Sequence, residues 1–393
     1  DLISWLLVIV GFITALRYWR QPRFSLPIIA TILLLPVAFL RSTSPDFLAD
    51  APLLPLLALL FGLGVASLYN SLPRTSRRLA AVGLLALLAF NIVWMGRDLF
   101  VLWPQRDDVH EAYDSRLGRL AHYLDRTVAD IPTVICTDDL SPNNPMQSLS
   151  QRRLLALMMH REDAPIRYAD CGTGLVLPNG GEEHQTILLE ADLLEGLHPR
   201  LRDWLRLGHP QEADAEHDDV PTESALIVDV AAELADTIGR FTTTAPAGYA
   251  PESPGGAEAA LLPVQFEGNL TFLGYDREIV GAYRPGDIVT VVTYWRVDGL
   301  LPPDLRLFTH ILADPAVIAA QSDTLSVTPM ELQPRDVFIQ VTFVRLPPSI
   351  PSGAYSISIG AYQDSNNARL AVLDDDLPRG TRLFLNQITI ERE

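Results

Sequence analysis

The side chains best able to do chemistry in this chain are a pair of carboxylates, a pair of thiols and a few aromatic and polar groups, none in a motif that builds a catalytic centre. Asp138 and Asp139 follow a short β-branched run, Thr133–Cys136, at the position where α/β sheets bind ligands. They are candidates for holding a glycan hydroxyl or a cation, against the plainer alternative of a solvated turn. Cys136 and Cys171 each end a run that reads as a strand. If those strands are neighbours, an exported domain permits a disulfide; otherwise the pair are two buried thiols. Without a nearby His pair they make a poor zinc site. Trp295, with Tyr294, His310 and Gln321, supplies aromatic and polar groups suited to a glycan, the alternative being core or interface residues. The eight His are scattered, and there is no Gly-x-Ser-x-Gly, His-Glu-x-x-His, Walker loop or dinucleotide fingerprint. The acidic run Asp374-Asp375-Asp376 is of the kind that usually forms a solvated face.

Charge narrows the function classes further. The chain has 393 residues, a net charge of -18, and 30 basic residues that are all Arg. The lack of Lys excludes a Lys nucleophile, a Schiff base and a P-loop. An acidic body disfavours nucleic acid as a partner. Residues 1–106 hold nine Arg and four Asp, a net of +5, so residues 107–393 carry -23. The length calls for two or three domains.

Residues 1–106 read as transmembrane helices over about 2–16, 24–40, 51–69 and 79–96, each free of internal charge. The last three match the roughly 17–25 residues of a bilayer span. The first is short and begins behind Asp1, as though the chain starts partway into a helix. Loops 17–23 and 70–78 each hold three Arg, whereas loop 41–50 holds one Arg and two Asp. By the positive-inside rule both Arg-rich loops face the cytoplasm and residues 97–393 lie outside it. Trp94 and Trp103 suit an interfacial belt.

Residues 107–240 alternate helical and strand patterns and read as a small extracytoplasmic α/β domain. Val109, Tyr113, Leu117, Leu120 and Leu124 recur at helical spacing. Gly174–Pro178, Asn179-Gly180 and Gln185–Glu190 read as a hairpin, because Asn-Gly favours a two-residue turn. Residues 241–260 read as a linker rich in Thr, Ala, Pro and Gly. Residues 261–393 show about eight short strands separated by turns, which suggests an antiparallel β-sandwich, jelly-roll-like. The fold class expected is thus a multi-domain membrane protein: helical transmembrane segment, α/β domain, β-sandwich.

Several stretches also resemble bacterial glycosyltransferase family 39 proteins, multi-spanning GT-C enzymes related to the protein O-mannosyltransferases. They are Ala51–Tyr69, Asn91–Asp98, Phe100-Val-Leu-Trp-Pro-Gln105 and Leu120-Ala-His-Tyr-Leu-Asp125. The tail resembles a C-terminal β-domain carried by some of these proteins, in Phe272-Leu-Gly-Tyr-Asp276, Tyr283-Arg-Pro-Gly-Asp287, Phe308-Thr-His-Ile-Leu312 and Pro351-Ser-Gly-Ala-Tyr355. The resemblance implies transfer of a sugar from a polyprenyl phosphate at the outer membrane face, with the lipid bilayer and that donor as partners. It implies an acidic catalytic loop, often with a divalent cation, in the N-terminal half of such enzymes, ahead of this chain. No catalytic, cofactor or metal residue therefore carries over. Arg41 and Arg97 are the candidates for a lipid-phosphate contact, because Asp50 stands where the family often has Arg or His. The competing expectation is a non-catalytic accessory subunit of a larger membrane assembly, keeping the anchor and an exported β-sandwich for interaction or glycan binding.

Overall fold

The computed structural model describes residues 2–39, 53–106, 115–128, 131–137, 151–161, 164–189, 196–210, 225–244, 247–249, 258–277 and 281–391. Its elements and counts below are those of the described residues. The chain divides into two compact units, residues 1–113 and 114–393.

The first unit is helical: α1 (Leu2–Arg17), α2 (Pro22–Phe39), α3 (Leu53–Ser71) and α4 (Arg74–Arg97), the last running on through a π turn and a 3-10 turn to Gln105. Two stretches are long and apolar enough to cross a membrane, Leu53–Ser71 and Ser76–Gln105. The apolar stretches of the first two helices, Ile3–Arg17 and Pro22–Leu33, are shorter, so two of the four expected spans have full length.

α1 and α3 touch backbone to backbone through two glycines. A Cβ on Gly11 would stand 1.8 Å from the Leu60 carbonyl oxygen, and one on Gly64 1.9 Å from that of Leu7. Small residues at four-residue spacing allow such approach; Ala15 continues the buried stripe. Advancing from Leu7 to Gly11 on α1 moves the contact back from Gly64 to Leu60 on α3. Ile3 and Leu7, at the start of α1, also line one apolar crevice with Val65, Leu68 and Tyr69, at the end of α3. The two helices are therefore antiparallel. This corrects the arrangement drawn from arginine counts, which ran both helices in the same direction across the bilayer. Arg17, Arg20 and Arg23 lie at one end of the pair, and the turn before α4 lies at the other.

The second unit contains three sheets. Strands β1 (Thr133–Cys136), β2 (Ile166–Ala169), β4 (His184–Leu188), β5 (His209–Pro210) and β6 (Ala225–Val228) form a mixed sheet ordered β2-β1-β4-β6-β5. β1 runs parallel to β2 and β4, and β6 antiparallel to β4. Helices α5 (Ser115–Thr127) and α6 (Gln151–Met158) supply Leu117, Leu120, Leu124 and Leu155 to a core with Ile135, Tyr168 and Ile187. The start of the helix expected from residue 108 lies outside the described residues. Helices α7 (Pro199–Leu205) and α8 (Ala231–Thr244) complete the helical set.

The sandwich forms where short strands separated by turns were expected. One sheet has the order β18-β17-β9-β10-β11-β14-β3, with β3 (Gly174–Leu177), β9 (Val264–Phe266), β10 (Leu270–Arg277), β11 (Ile288–Val297), β14 (Val337–Arg345), β17 (Val372–Asp374) and β18 (Leu377–Pro378). The facing sheet runs β13-β12-β15-β19-β7-β8, with β7 (Ala247–Tyr249), β8 (Ala259–Ala260), β12 (Leu305–Asp314), β13 (Val317–Thr324), β15 (Gly353–Gln363) and β19 (Leu383–Phe384). β16 (Ala368–Arg369) and β20 (Ile388–Ile390) also pair with β15.

Two expectations fail here for a shared reason. Gly174–Pro178 and Gln185–Glu190 do not pair as a hairpin. β3 (Gly174–Leu177) leaves the α/β half and pairs with β14 of the sandwich, while β4 stays beside β1. Asn179 does adopt a left-handed conformation, at φ 52°, but in a 3-10 turn that redirects the chain. Likewise the linker expected at 241–260 contributes the end of α8 and strands β7 and β8. The α/β and sandwich parts thus share one continuous core.

Arg167 of β2 fixes this junction. Its guanidinium meets the Asp336 carboxylate twice, at 2.9 and 3.1 Å, with both side chains buried. Asp336 also accepts the backbone N–H groups of Asn179 and Gln333. Nearby, Arg152 of α6 pairs with Glu331 and lies 4.6 Å over the Tyr168 ring. Burial, against the opposing pull of Arg152, pushes the Glu331 carboxyl up to about 7. Removing one partner of a buried, hydrogen-bonded pair strands the other charge, at a cost of about 3–5 kcal/mol. Asp336→Ala is expected to lower the unfolding free energy by that amount in a urea titration.

Candidate functional site

The sheet β13-β12-β15-β19 has two faces of different character. Leu305, Leu307 and Ile311 of β12 and Ile357, Ile359 and Ala361 of β15 point into the shared core. The intervening residues point outward, because side chains alternate along a strand. Cross-strand register then sets the neighbours. His310 stands opposite Gln321 on β13 and Ser358 on β15, and Phe308 stands opposite Asp323 and Gly360. Tyr362 stands opposite Arg369, and Ser358 opposite Phe384.

This outward face is unusually dry. His310 is only 3% exposed and Ser358 fully buried, although alternation turns both away from the core between the sheets. Phe308 covers them. Its ring stacks on His310 with centroids 4.5 Å apart, and Arg369 lies 4.9 Å over the same ring. Gly360 makes this possible, since a Cβ there would fall 2.3 Å from the Phe308 ring. Arg382, just before β19, donates to the Pro315 carbonyl at 3.2 Å. On the β13 side, Asp323 accepts from the Tyr362 hydroxyl at 3.4 Å and stands 3.7 Å from His310 Nε2.

Two polar atoms in this cluster are buried without a hydrogen-bond partner among the described residues, His310 Nδ1 and the Ser358 hydroxyl. Each such atom costs about 1–3 kcal/mol, and each calls for an account, a bound water or ion among them. Burial pushes the His310 pKa down; Asp323 opposes this, and Arg369 and Arg382 reinforce it. The imidazole is therefore neutral at pH 7, able to accept at one nitrogen and donate at the other.

The remaining sequence candidates fall elsewhere. Trp295 is completely buried between Phe272, Phe266 and Phe338, and its indole N–H donates to Thr293 at 2.9 Å. It is a core residue and out of reach of a glycan, which corrects its assignment; alternation along β11 points it inward. Tyr294 is buried too, against Phe241 and Trp204. Cys136 and Cys171 are joined in a disulfide, Cα atoms 5.2 Å apart. Arg97 ends α4 with its guanidinium 5.7 Å over the Trp94 ring. Arg41, Asp138 and Asp139 lie outside the described residues. No group of three or more His, Cys, Asp or Glu side chains placed to hold a metal occurs among the described residues. Sequence reading singled out His310 and Gln321 but missed Phe308, Ser358, Tyr362, Arg369 and Arg382; the alternation in Tyr355–Tyr362 was the available signal for two of them.

A concavity of about 230 Å³ lies between α7, α8 and β10, lined by Arg200, Trp204, Glu233, Arg240, Asp276 and Tyr294. Arg200 and Asp276 pair across it at 3.0 Å, so its central charges already satisfy each other.

No family model matches the chain, and no curated protein matches it. Among solved structures, the C-terminal domain of wzt is similar at 13% identity, covering 39% of this chain and 86% of that one, with a TM-score of 0.26. The CARDB domain of the PF1109 protein from Pyrococcus furiosus is similar at 9% identity, covering 36% and 100%, with a TM-score of 0.20. A Niemann-Pick type C2 protein from Japanese carpenter ant is similar at 6% identity, covering 33% and 93%, with a TM-score of 0.19.

The sign of the His310 effect fixes a pH dependence. Its folded pKa is depressed, so its contribution to stability is complete above the ordinary value near 6.5 and is lost as pH falls from there through the lower folded value. Between pH 7 and pH 5 the melting temperature of the wild-type chain is expected to fall more steeply than that of His310→Gln. Parallel melting curves would remove this assignment.

Proposed function

We propose that this chain is a membrane-anchored protein whose exported β-sandwich binds a saccharide on the outward face of the β12–β15 sheet. The observation that carries the binding half is the cluster around His310. It sets the half-buried Tyr362 beside Gln321 and Asp323, over a floor of Phe308, His310 and Ser358, on paired strands that hold them in place. Sugars are bound by such mixtures, an aromatic face for the ring and neutral or charged acceptors for its hydroxyls.

The anchor half rests on α4. Leu79, Val82, Leu85, Phe90, Ile92 and Met95 are all exposed around its circumference. A helix apolar on every side belongs in a core or a bilayer, and this one is not in a core. The disulfide favours an oxidising compartment for residues 114–393. The lineage expected from the resemblance, a polyprenyl-phosphate-sugar transferase, fits as the setting: the sandwich would hold a glycan near the outer membrane face. The apolar crevice of about 330 Å³ between α1, α3 and α4 favours it, being suited to a lipid chain.

The binding half is tested by presenting the full chain in nanodiscs to a glycan array. Binding of at least one glycan class is expected, weakened tenfold or more in Tyr362→Ala and Asp323→Ala; binding unchanged in both would reject the site. For the anchor, antiparallel α1 and α3 followed by a spanning α4 put the α1–α2 turn on the same side of the bilayer as residues 114–393. Single cysteines at Gln21 and Ser349 are therefore expected to react with an impermeant maleimide in intact spheroplasts, in a Cys136→Ser/Cys171→Ser background. A cysteine at Leu72 should react only after permeabilisation. Labelling of Leu72 without Gln21 would reject the arrangement.

A further inference from the structure

The apolar crevice of the helical unit, about 330 Å³ in volume, suits a lipid chain, and its length and its mouth bear on which lipid fills it. This deepens the anchor reading above and rests on it. α1 contributes Ile3 and Leu7, α3 residues between Val65 and Leu72, and α4 residues between Ala80 and Leu87. At 1.5 Å per residue, the stretches on α3 and α4 are each about 10 Å long. One leaflet is half of a hydrocarbon core about 30 Å thick, so the crevice matches a single acyl chain entering from one side of the bilayer. Gly83 leaves it open, because a Cβ there would meet nothing within 4 Å. Leu68 and Tyr69 remain 49% and 41% exposed.

The mouth of the crevice lies at the turn between α3 and α4, and it is cationic. Arg77 stands one helical turn before Ala80 and Ala81, on the face of α4 that lines the crevice. Its guanidinium lies 5.4 Å over the ring of Tyr69, itself a lining residue. Its Nε donates to the Leu72 carbonyl at 3.1 Å, and Nη2 to the Asn70 carbonyl at 3.5 Å. Those two bonds cap the end of α3 and fix the group in place. They leave Nη1 without a protein partner among the described residues. Arg78 is exposed beside it. No counter-charge is at hand: among the described residues of this unit the single carboxylate is Asp98, at the far end of α4.

We infer that the crevice holds one acyl chain of an anionic phospholipid from the leaflet that meets the α3–α4 turn, with the lipid phosphate at Arg77 and Arg78. A guanidinium takes a phosphate in fork geometry, and a tyrosine at headgroup level is at home in the membrane interface. A phosphatidylglycerol headgroup keeps its net negative charge, whereas phosphatidylcholine cancels its phosphate with its own cation. A polyprenyl chain is far longer than the crevice.

The test uses the full chain in mild detergent and native mass spectrometry with equal amounts of phosphatidylglycerol, phosphatidylcholine and undecaprenyl phosphate. Phosphatidylglycerol is expected to remain bound at collision energies that strip phosphatidylcholine, at fivefold or higher occupancy. Gly83→Phe, which fills the crevice and leaves both arginines, should lower that occupancy at least fivefold. Arg77→Gln with Arg78→Gln should remove the preference over phosphatidylcholine, and Arg77→Lys with Arg78→Lys should retain part of it. If the Gln pair melts well below wild type, Gly83→Phe and the Lys pair carry the test. Equal retention of the two phospholipids would overturn the inference, as would occupancy unchanged in Gly83→Phe or undecaprenyl phosphate retained above phosphatidylglycerol. Retention of no lipid by a chain that stays in membranes through an alkaline carbonate wash would overturn it and leave the anchor standing. Release of the chain by that wash would overturn both.

Discussion

The buried ion pair of Arg167 and Asp336 is the constraint on which the second unit depends. Arg167 belongs to the α/β sheet and Asp336 to the approach to β14 of the sandwich. Two charges withdrawn from water are stable only with complete hydrogen bonding, and here the guanidinium is also satisfied by the Pro165 carbonyl and Gln333. The pair therefore admits one relative placement of the two halves. The exchange of β3 into the sandwich sheet follows the same line: its pairing with β14 brings Leu175 and Leu177 into the common core. Residues that read as two domains and a linker fold as one body because their strands and their buried charges interlock.

That rigidity bears on the outward face of the facing sheet. β12 and β15 pair over eight positions, from Leu305 with Gln363 to Leu312 with Ser356, and their inner residues are locked in the core. His310, Ser358 and Tyr362 consequently sit on a backbone with little freedom. Gly360 leaves room in the side-chain layer, and Phe308 occupies it. Sites on strands hold geometry more closely than sites on loops, and this cluster has that advantage.

The helical unit obeys a different physics. Its helices cannot be held by burying apolar surface if the surroundings are themselves apolar, so close backbone approach takes over. Gly11 and Gly64 each seat against a carbonyl of the other helix, and larger residues at either position would separate the pair. α4, in contrast, presents bulky side chains all round, and leaves a crevice toward α1 and α3.

The sequence alone determined where most strands and helices form. The β-branched apolar runs of β11, β12 and β14, the alternation in β15, and the apolar runs of α3 and α4 are local properties, and local propensity and burial agree there. It also marked the two thiols as candidates for a bridge, set the charge contrast between the two units, and offered His310 and Gln321 as polar candidates. Three things were decided only by tertiary structure. Strand partners were, because β3 and β4 are each compatible with a hairpin and with other sheets until a core selects among them. Helix direction was, because arginine counts report loop charge and not which glycine meets which carbonyl. So was the fate of the aromatic candidates: Trp295 and His310 lie on strands of equally apolar character, and only the packing of two sheets sends one to the core and leaves the other outside it.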